Sequence, residues 1–281
     1  MVENLMPENQ TKRTKPVLKW AGGKSGLLPQ LLPLFPQKIE RYFEPFFGGG
    51  AVFFALEFSS ESFLNDINSE LIELYEAVRD NRIELMAELN LLSAQYSEEF
   101  YYQMRALIPQ TKTKRAARTV FLNKTGFNGL YRQNSKGGFN VPFGKRVKCP
   151  ALFDENNLIK VSEVLGAAKL MSVDFETLIN QAGHGDFVYC DPPYEPLSAT
   201  SSFNAYQGGG FSRDEQKRLK NACVMAQARG ANVIISNSAA EFIKDLYADC
   251  EIKSISARRA INSKGNSRGE IEELAIILGG I

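Results

Sequence analysis

Metal-binding and disulfide-forming side chains are scarce in this chain, which has one histidine and four cysteines in 281 residues. Cys149, Cys190, Cys223 and Cys250 lack the paired spacing of a zinc site, and His184 adds few further ligands, so no metal centre is expected. Four scattered cysteines also argue against a disulfide framework and for a reducing, cytoplasmic setting. His184 stands in Gly183-His184-Gly185-Asp186, a turn composition, and reads as an exposed turn residue rather than a base. Long apolar runs are missing too. Met1–Pro16 is polar and no stretch approaches membrane-spanning length, so neither a signal peptide nor a membrane association is expected. The formal charge is only +1, which gives no whole-molecule field to attract nucleic acid. Basic residues cluster locally instead: Lys12, Arg13 and Lys15; Lys112, Lys114, Arg115 and Arg118; Lys145, Arg146 and Lys148; Arg258 and Arg259. A complete Walker A loop is also absent. Lys19-Trp20-Ala21-Gly22-Gly23-Lys24-Ser25 resembles one, but Leu18 stands where the first glycine is needed, which excludes triphosphate hydrolysis on spacing.

What is present points to an α/β protein. With 44% hydrophobic and 23% charged residues, the chain is long enough for a full α/β domain and a smaller unit. Short apolar strands are predicted at Tyr42–Glu44 and Phe63–Asn65, flanking a helix over Ala51–Phe58, as at the start of a doubly wound sheet. From about Leu71 to about Asp154 apolar residues recur at helical spacing, in Ile83–Leu92, Phe100–Leu107 and Ala116–Leu122. That stretch ends in a polar, glycine-rich loop, Asn123–Gly144, read as too polar for the core. Strands resume at Lys169–Val173, Phe187–Cys190, Asn232–Ser236, Ile252–Ile255 and Leu274–Leu278, with helices at about Asp214–Arg229 and Ala239–Tyr247.

Two motifs carry chemistry. Phe43-Glu44-Pro45-Phe46-Phe47-Gly48-Gly49-Gly50 breaks an apolar strand into three glycines, where backbone can approach a ligand and a following helix offers free N–H groups. The full G-x-G-x-x-G spacing is missing, so a pyrophosphate is not favoured and a smaller nucleoside cofactor fits as well. Asp66, ending the next strand, is placed either to accept ribose hydroxyls or to cap the helix Ser69–Asp80. The second motif is Asp191-Pro192-Pro193-Tyr194, directly after the buried strand Phe187–Cys190. Two prolines stiffen the exit and leave carbonyls free; with the Asp carboxylate and the Tyr ring they match a planar exocyclic amine, which brings two donors and a π-face. Alone, the tetrapeptide would serve equally as a rigid turn.

Four segments together, Lys19–Lys24, Phe43–Gly50, Asn123–Pro142 and Asp191–Tyr194, resemble the Dam-type DNA adenine N6-methyltransferases in type and order, across nearly the whole chain. The resemblance implies a Rossmann-like S-adenosylmethionine-dependent methyltransferase sheet with an inserted, mainly helical target-recognition domain. Its parts would be residues 1–70, the cofactor half, 71–154, the insert, and 155–281, the catalytic half. It implies that Trp20, Lys24, Asp66 and Asp191 line the cofactor pocket, with Phe46 and Gly48 beneath and Asp174 near the cofactor adenine. It implies catalysis at Asp191, Pro192, Pro193 and Tyr194 on an adenine flipped from duplex DNA, with GATC the expected site. Lys19, Leu130 and Arg132 would meet base edges, with Asn128 in the same segment and Phe127 near a tyrosine wedge of some relatives. Without the resemblance, Arg132 reads equally well as a phosphate contact. Arg258–Arg268 is expected near DNA, and Glu195–Gly210 reads as a lid. A methyltransferase acting on another planar amine or amide, an RNA base or a protein glutamine, is the alternative, and a DNA-binding module with decayed catalysis a third reading. A monomer suffices for the proposed parts; a restriction nuclease as partner stays open.

Overall fold

The computed structural model describes residues 14–56, 61–134, 137–197, 211–258 and 270–279. Strands β1 (Tyr42–Glu44), β2 (Ser62–Asn65), β3 (Ala168–Met171), β4 (Phe187–Cys190), β5 (Asn232–Ser238), β6 (Glu251–Arg258) and β7 (Glu270–Leu278) form one sheet in the order β3-β2-β1-β4-β5-β7-β6. β1 to β5 run parallel, and β7 is antiparallel to both β5 and β6. The central strands are buried on both faces, which explains their unbroken apolar runs. Alternate residues feed two separate cores: Tyr42, Phe187 and Tyr189 face one layer, and Phe43, Val188 and Cys190 the other.

The helices fall into those two layers. They are α1 (Leu28–Leu31), α2 (Phe53–Leu56), α3 (Ser69–Asp80), α4 (Arg82–Ala94), α5 (Glu98–Ala106), α6 (Lys112–Thr125), α7 (Glu155–Leu165), α8 (Phe175–Ile179), α9 (Arg213–Ala228) and α10 (Glu241–Leu246). Their starts are written locally: the side chains of Ser97, Thr111, Asp154 and Ser212 accept N–H groups of the first turns of α5, α6, α7 and α9. Leu71, Leu74, Tyr75 and Val78 of α3 pack into the first core together with Leu85 and Leu89 of α4 and Val120 and Phe121 of α6. Chain direction away from the sheet diverges between β1 and β4, since β1 leads toward β2 and β4 toward β5. A crevice opens there at the carboxyl ends of the strands, the usual ligand position in doubly wound sheets.

Several expectations change. Residues 155–165, unassigned from sequence, form α7. The polar stretch after α6 is not wholly outside the core: Phe139, Val141 and Phe143 are buried, and Gly126 and Gln133 bridge antiparallel to Phe143 and Phe139. The alternation of those three residues is a strand-like period hidden among polar neighbours. Much of the central basic cluster is tied into the fold, although the Lys112 and Lys114 side chains stay exposed. Arg115 forks onto Glu73 at 2.7 and 2.9 Å, Lys112 meets Glu76 at 2.9 Å, and Arg118 donates to the Met104 and Arg105 carbonyls, both at 2.8 Å. These bonds tie α6 to α3 and α5. Lys145, Arg146 and Lys148 do stay exposed. Lys12, Arg13, Arg259 and most of the stretches Glu195–Gly210 and Arg258–Arg268 lie outside the described residues.

Candidate active site

The loops after β1 and β4 and the turn around Trp20 enclose a cavity of about 720 Å³, within the ordinary range for ligand pockets. Trp20, Lys24, Phe46, Gly48, Asp66, Asp174, Asp191, Pro192, Pro193 and Tyr194, all singled out from sequence, line it. Lys24 is the hub. Its buried ammonium lies 2.8 Å from Asp191 Oδ1, donates to the Gly22 carbonyl at 2.7 Å, and sits 4.7 Å from the Tyr194 ring centroid. Asp191 keeps 22% of its side-chain surface, directed to the cavity. Burial raises the Asp191 carboxyl above the usual carboxylate range, and the Lys24 ammonium opposes that shift. Tyr194 OH donates to Glu273 Oε2 at 2.6 Å. Burial beside Asp191 and Glu273 pushes its phenol far up, so the ring stays neutral.

The glycine loop is shaped by its neighbours as much as by any ligand. Gly48 has φ +49°, and a Cβ there would fall 2.7 Å from Trp20 Nε1. The missing side chain thus makes room for the indole, and the Gly48 N–H donates to Asp66 Oδ2 at 2.9 Å. Asp66 Oδ1 accepts the Asn68 N–H at 2.9 Å, so Asp66 braces the loop and is not the cap of α3, whose N-cap is Asn68. Each Asp66 oxygen accepts one of these bonds and has capacity for another, and the residue lines the cavity. Burial raises this carboxyl too, with the two N–H groups opposing. Asp174 caps α8 through the Glu176 N–H and pairs with Arg218 Nη2 at 2.6 Å. The cavity, the bracing carboxylate and the aromatic walls at Phe46 and Phe175 fit a nucleoside-sized group.

Two acidic residues were not singled out from sequence. Glu273, on β7, lies 3.8 Å from Lys24 Nζ as well as holding Tyr194. Glu44, at the end of β1, is buried and accepts from Tyr42 OH at 2.8 Å; burial pushes its carboxyl well up. Glu44 carried a legible signal, an acid closing an apolar strand beside the glycine loop.

A second surface adjoins the cavity. Asn123 Oδ1 accepts the Lys19 N–H at 3.0 Å and its Nδ2 donates to the Lys19 and Gly129 carbonyls, which docks Lys19 on the turn Phe127–Leu130. Gly129, at φ +67°, leaves no room for a Cβ beside the Lys19 stem. Phe127 and Leu130 are exposed, and Asn128 holds φ +55°. Arg132 is exposed and donates through Nε to Asn140 Oδ1 at 2.8 Å. Phe127, Asn128, Leu130 and Arg132 thus lie along one loop ribbon, against which Asn123 holds Lys19. Tyr131 joins that ribbon to the cavity: its ring lies 5.0 Å from that of Trp20, and its hydroxyl donates to Glu70 at 3.1 Å. Among the described residues no cluster of metal-ligating side chains is present, and no helix is long and apolar enough to cross a membrane.

Comparison with known proteins gives this geometry a family. Residues 20–261 match the model described as D12 class N6 adenine-specific DNA methyltransferase. The chain is 41% identical over 281 residues to the Type II methyltransferase M1.LlaDCHI of Lactococcus lactis subsp. cremoris, covering 97% of this chain and 98% of that protein. It is 42% identical over 286 residues to the Type II methyltransferase M.MjaIII of Methanocaldococcus jannaschii, covering 94% and 98%. It is 37% identical over 268 residues to the DNA adenine methylase of Escherichia coli, covering 94% and 95%. A sheet with its crevice at the switch point, an Asp-Pro-Pro-Tyr turn facing it, and matches running almost end to end leave one conclusion: the chain belongs to the D12 class N6 adenine-specific DNA methyltransferases.

Proposed function

We propose that this DNA adenine methyltransferase uses S-adenosylmethionine as donor, acts on an adenine flipped out of duplex DNA, and selects GATC. One observation carries the reading: Asp191, the acceptor for the amine, faces the same cavity as the glycine loop and is held by Lys24 at 2.8 Å. The donor, when bound, supplies an electrophilic methyl on sulfur. The adenine amino nitrogen is a poor nucleophile because its lone pair is delocalised into the ring. Asp191 and the Pro192 carbonyl accept hydrogen bonds from its two N–H groups as it pyramidalises, and the Tyr194 ring, held by Glu273, stacks on the base. Lys24 favours the ionised Asp191 that this task needs, against the burial that raises its carboxyl. Trp20, Lys24, Phe46, Gly48, Asp66, Asp174 and Asp191, which line the cavity, would hold the donor. The base must leave the duplex because its amine is otherwise out of reach.

For target reading, Arg132 forks onto guanine O6 and N7, Leu130 meets a thymine methyl, and Lys19, Asn128 and Phe127 approach the opened site. Support comes from their shared ribbon and from Asn140, which occupies the Arg132 Nε and leaves the Nη groups without a bond to any other described residue. We take residues 71–154 as the target-recognition insert between the halves 1–70 and 155–281; α3 also packs on α7 and β3, so its helices are continuous with the sheet layer. Two relatives are called Type II methyltransferases, which supports a cognate restriction nuclease as partner. The test is transfer of labelled methyl to duplexes that differ only in GATC or GTAC, followed by nucleoside analysis. Label on N6-methyladenine in GATC alone is expected; equal labelling of both would overturn the assigned base contacts, and no label with either would overturn the donor or the target.

A further inference from the structure

The catalytic tetrapeptide has no backbone N–H at Pro192 or Pro193, so the fold can grip this turn chiefly by its carbonyls. One carbonyl is taken. Gln216 Nε2 donates to Pro193 O at 3.0 Å. Gln216 lies in the first turn of α9, whose start is fixed by the reciprocal Ser212 and Glu215 capping bonds. It is wholly buried, and its Oε1 accepts from Asn237 Nδ2 at 3.1 Å. Asn237, equally buried on β5, accepts on Oδ1 from Glu195 N at 3.3 Å and from Ser238 N at 2.9 Å. Ser238 Oγ closes the set by donating to the Glu195 carbonyl at 2.6 Å.

Two uncharged amides in series therefore span from Pro193 to Glu195 and grip the chain on both sides of Tyr194. Their orientation is forced. Turning Gln216 over would set its oxygen against the Pro193 carbonyl and its NH₂ against the NH₂ of Asn237, and a buried mismatch of that kind costs more than the bonds contribute. Because proline fixes φ, holding the Pro193 carbonyl restricts the peptide plane before it, and with it the direction of the Pro192 carbonyl. That carbonyl bonds no other described residue. Neither Gln216 nor Asn237 lines the cavity.

We infer that Gln216 and Asn237 are positioning residues for the Asp191–Tyr194 turn, setting the aim of the Pro192 carbonyl and the seat of the Tyr194 ring without touching either substrate. The inference rests on the reading of that turn as catalytic. Gln216→Met, close in volume and unable to hydrogen-bond in this way, is expected to slow single-turnover methyl transfer roughly 10- to 100-fold, the scale of a small misalignment. Dissociation constants for S-adenosylmethionine and for the duplex should stay at wild-type values. Gln216→Glu gives a signature that a space-filling role would not. Its ionised carboxylate only accepts and repels the Pro193 carbonyl, whereas its protonated form donates as glutamine does. Its rate relative to wild type should therefore climb as pH falls through the raised pKa of a buried carboxyl. Asn237→Asp keeps the two N–H acceptor bonds and loses the donor to Gln216, and should slow transfer with binding intact. Wild-type rates in these variants, a rate loss matched by equal loss of cofactor affinity, or no recovery of Gln216→Glu at low pH would each overturn the inference. If Gln216→Met fails to fold, the other two variants decide the matter. Asp191→Ala separates the layers: transfer surviving in it sinks the catalytic reading, whereas an inactive Asp191→Ala beside a fast Gln216→Met sinks only the positioning role.

Discussion

Gly48→Ala should destabilise the protein through one identifiable contact. The new Cβ would arrive 2.7 Å from Trp20 Nε1 and 3.0 Å from Cδ1, and the backbone would have to keep φ +49°. Left-handed backbone costs an alanine about 1–2 kcal/mol, and forcing a methyl into a packed contact about 1–3 kcal/mol more, so the total is about 2–5 kcal/mol. Trp20 is flanked by Gly49 at its Cβ and by the Tyr131 ring, so its retreat is open only toward the cavity it lines. Gly22→Ala is the control. It shares a positive φ, +76°, but nothing lies within 4 Å of its Cβ, so only the backbone cost applies. The loss of unfolded-chain entropy on replacing glycine is common to both and cancels in the comparison. Urea denaturation of both variants, and of Gly48→Ala combined with Trp20→Ala, measures the contact directly. The indole deletion should remove about 1–3 kcal/mol of the Gly48→Ala penalty. A Gly48→Ala protein no less stable than Gly22→Ala, or a penalty unchanged without the indole, would refute the reasoning.

Other outcomes follow from the same geometry. The folded state holds the Glu44 proton while the unfolded chain releases it, so stability falls as pH rises above the ordinary carboxylate range, by about 1.4 kcal/mol per pH unit until the raised folded pKa is passed. Glu44→Gln should remove that slope, and denaturation curves at increasing pH should show its advantage widening; a constant gap counts against a protonated Glu44. Arg115→Ala should cost about 1 kcal/mol of stability through the Glu73 fork and leave the salt dependence of DNA binding unchanged. A shallower salt slope would return that cluster to the DNA surface. Arg132→Ala should cost about 1–3 kcal/mol of discrimination between GATC and altered sites, measured by competition. Equal weakening on every sequence would make it a phosphate contact.

The sheet was legible where burial on both faces leaves an apolar run between clear breakers. Phe187–Cys190 ends at Asp191 as expected, and α3 occupies Ser69–Asp80 as its helical spacing requires. The lining of the cavity was legible because its residues cluster in short motifs. Pairings across the fold were not. Glu273 sits in Glu270–Leu278, of which only Leu274–Leu278 reads as a strand from sequence, and its tie to Lys24 and Tyr194 exists only once β7 inserts beside β5. Arg115 and Glu73 belong to different helices, so a solvated basic patch and an internal cross-link look alike in one dimension. Gln216 and Asn237 carry no local motif at all; their role depends on where α9 and β5 meet the catalytic turn.

The contact between Trp20 and Tyr131 has an optical consequence. This is the only indole in the sequence, and it stands between the glycine loop, on which the cofactor reading rests, and the ribbon assigned to DNA. Its emission therefore comes from one defined place in the molecule. A titration of the unlabelled protein with cofactor and then with duplex should register both events at the same chromophore, and the order in which the signal moves would tell which ligand arranges the junction for the other.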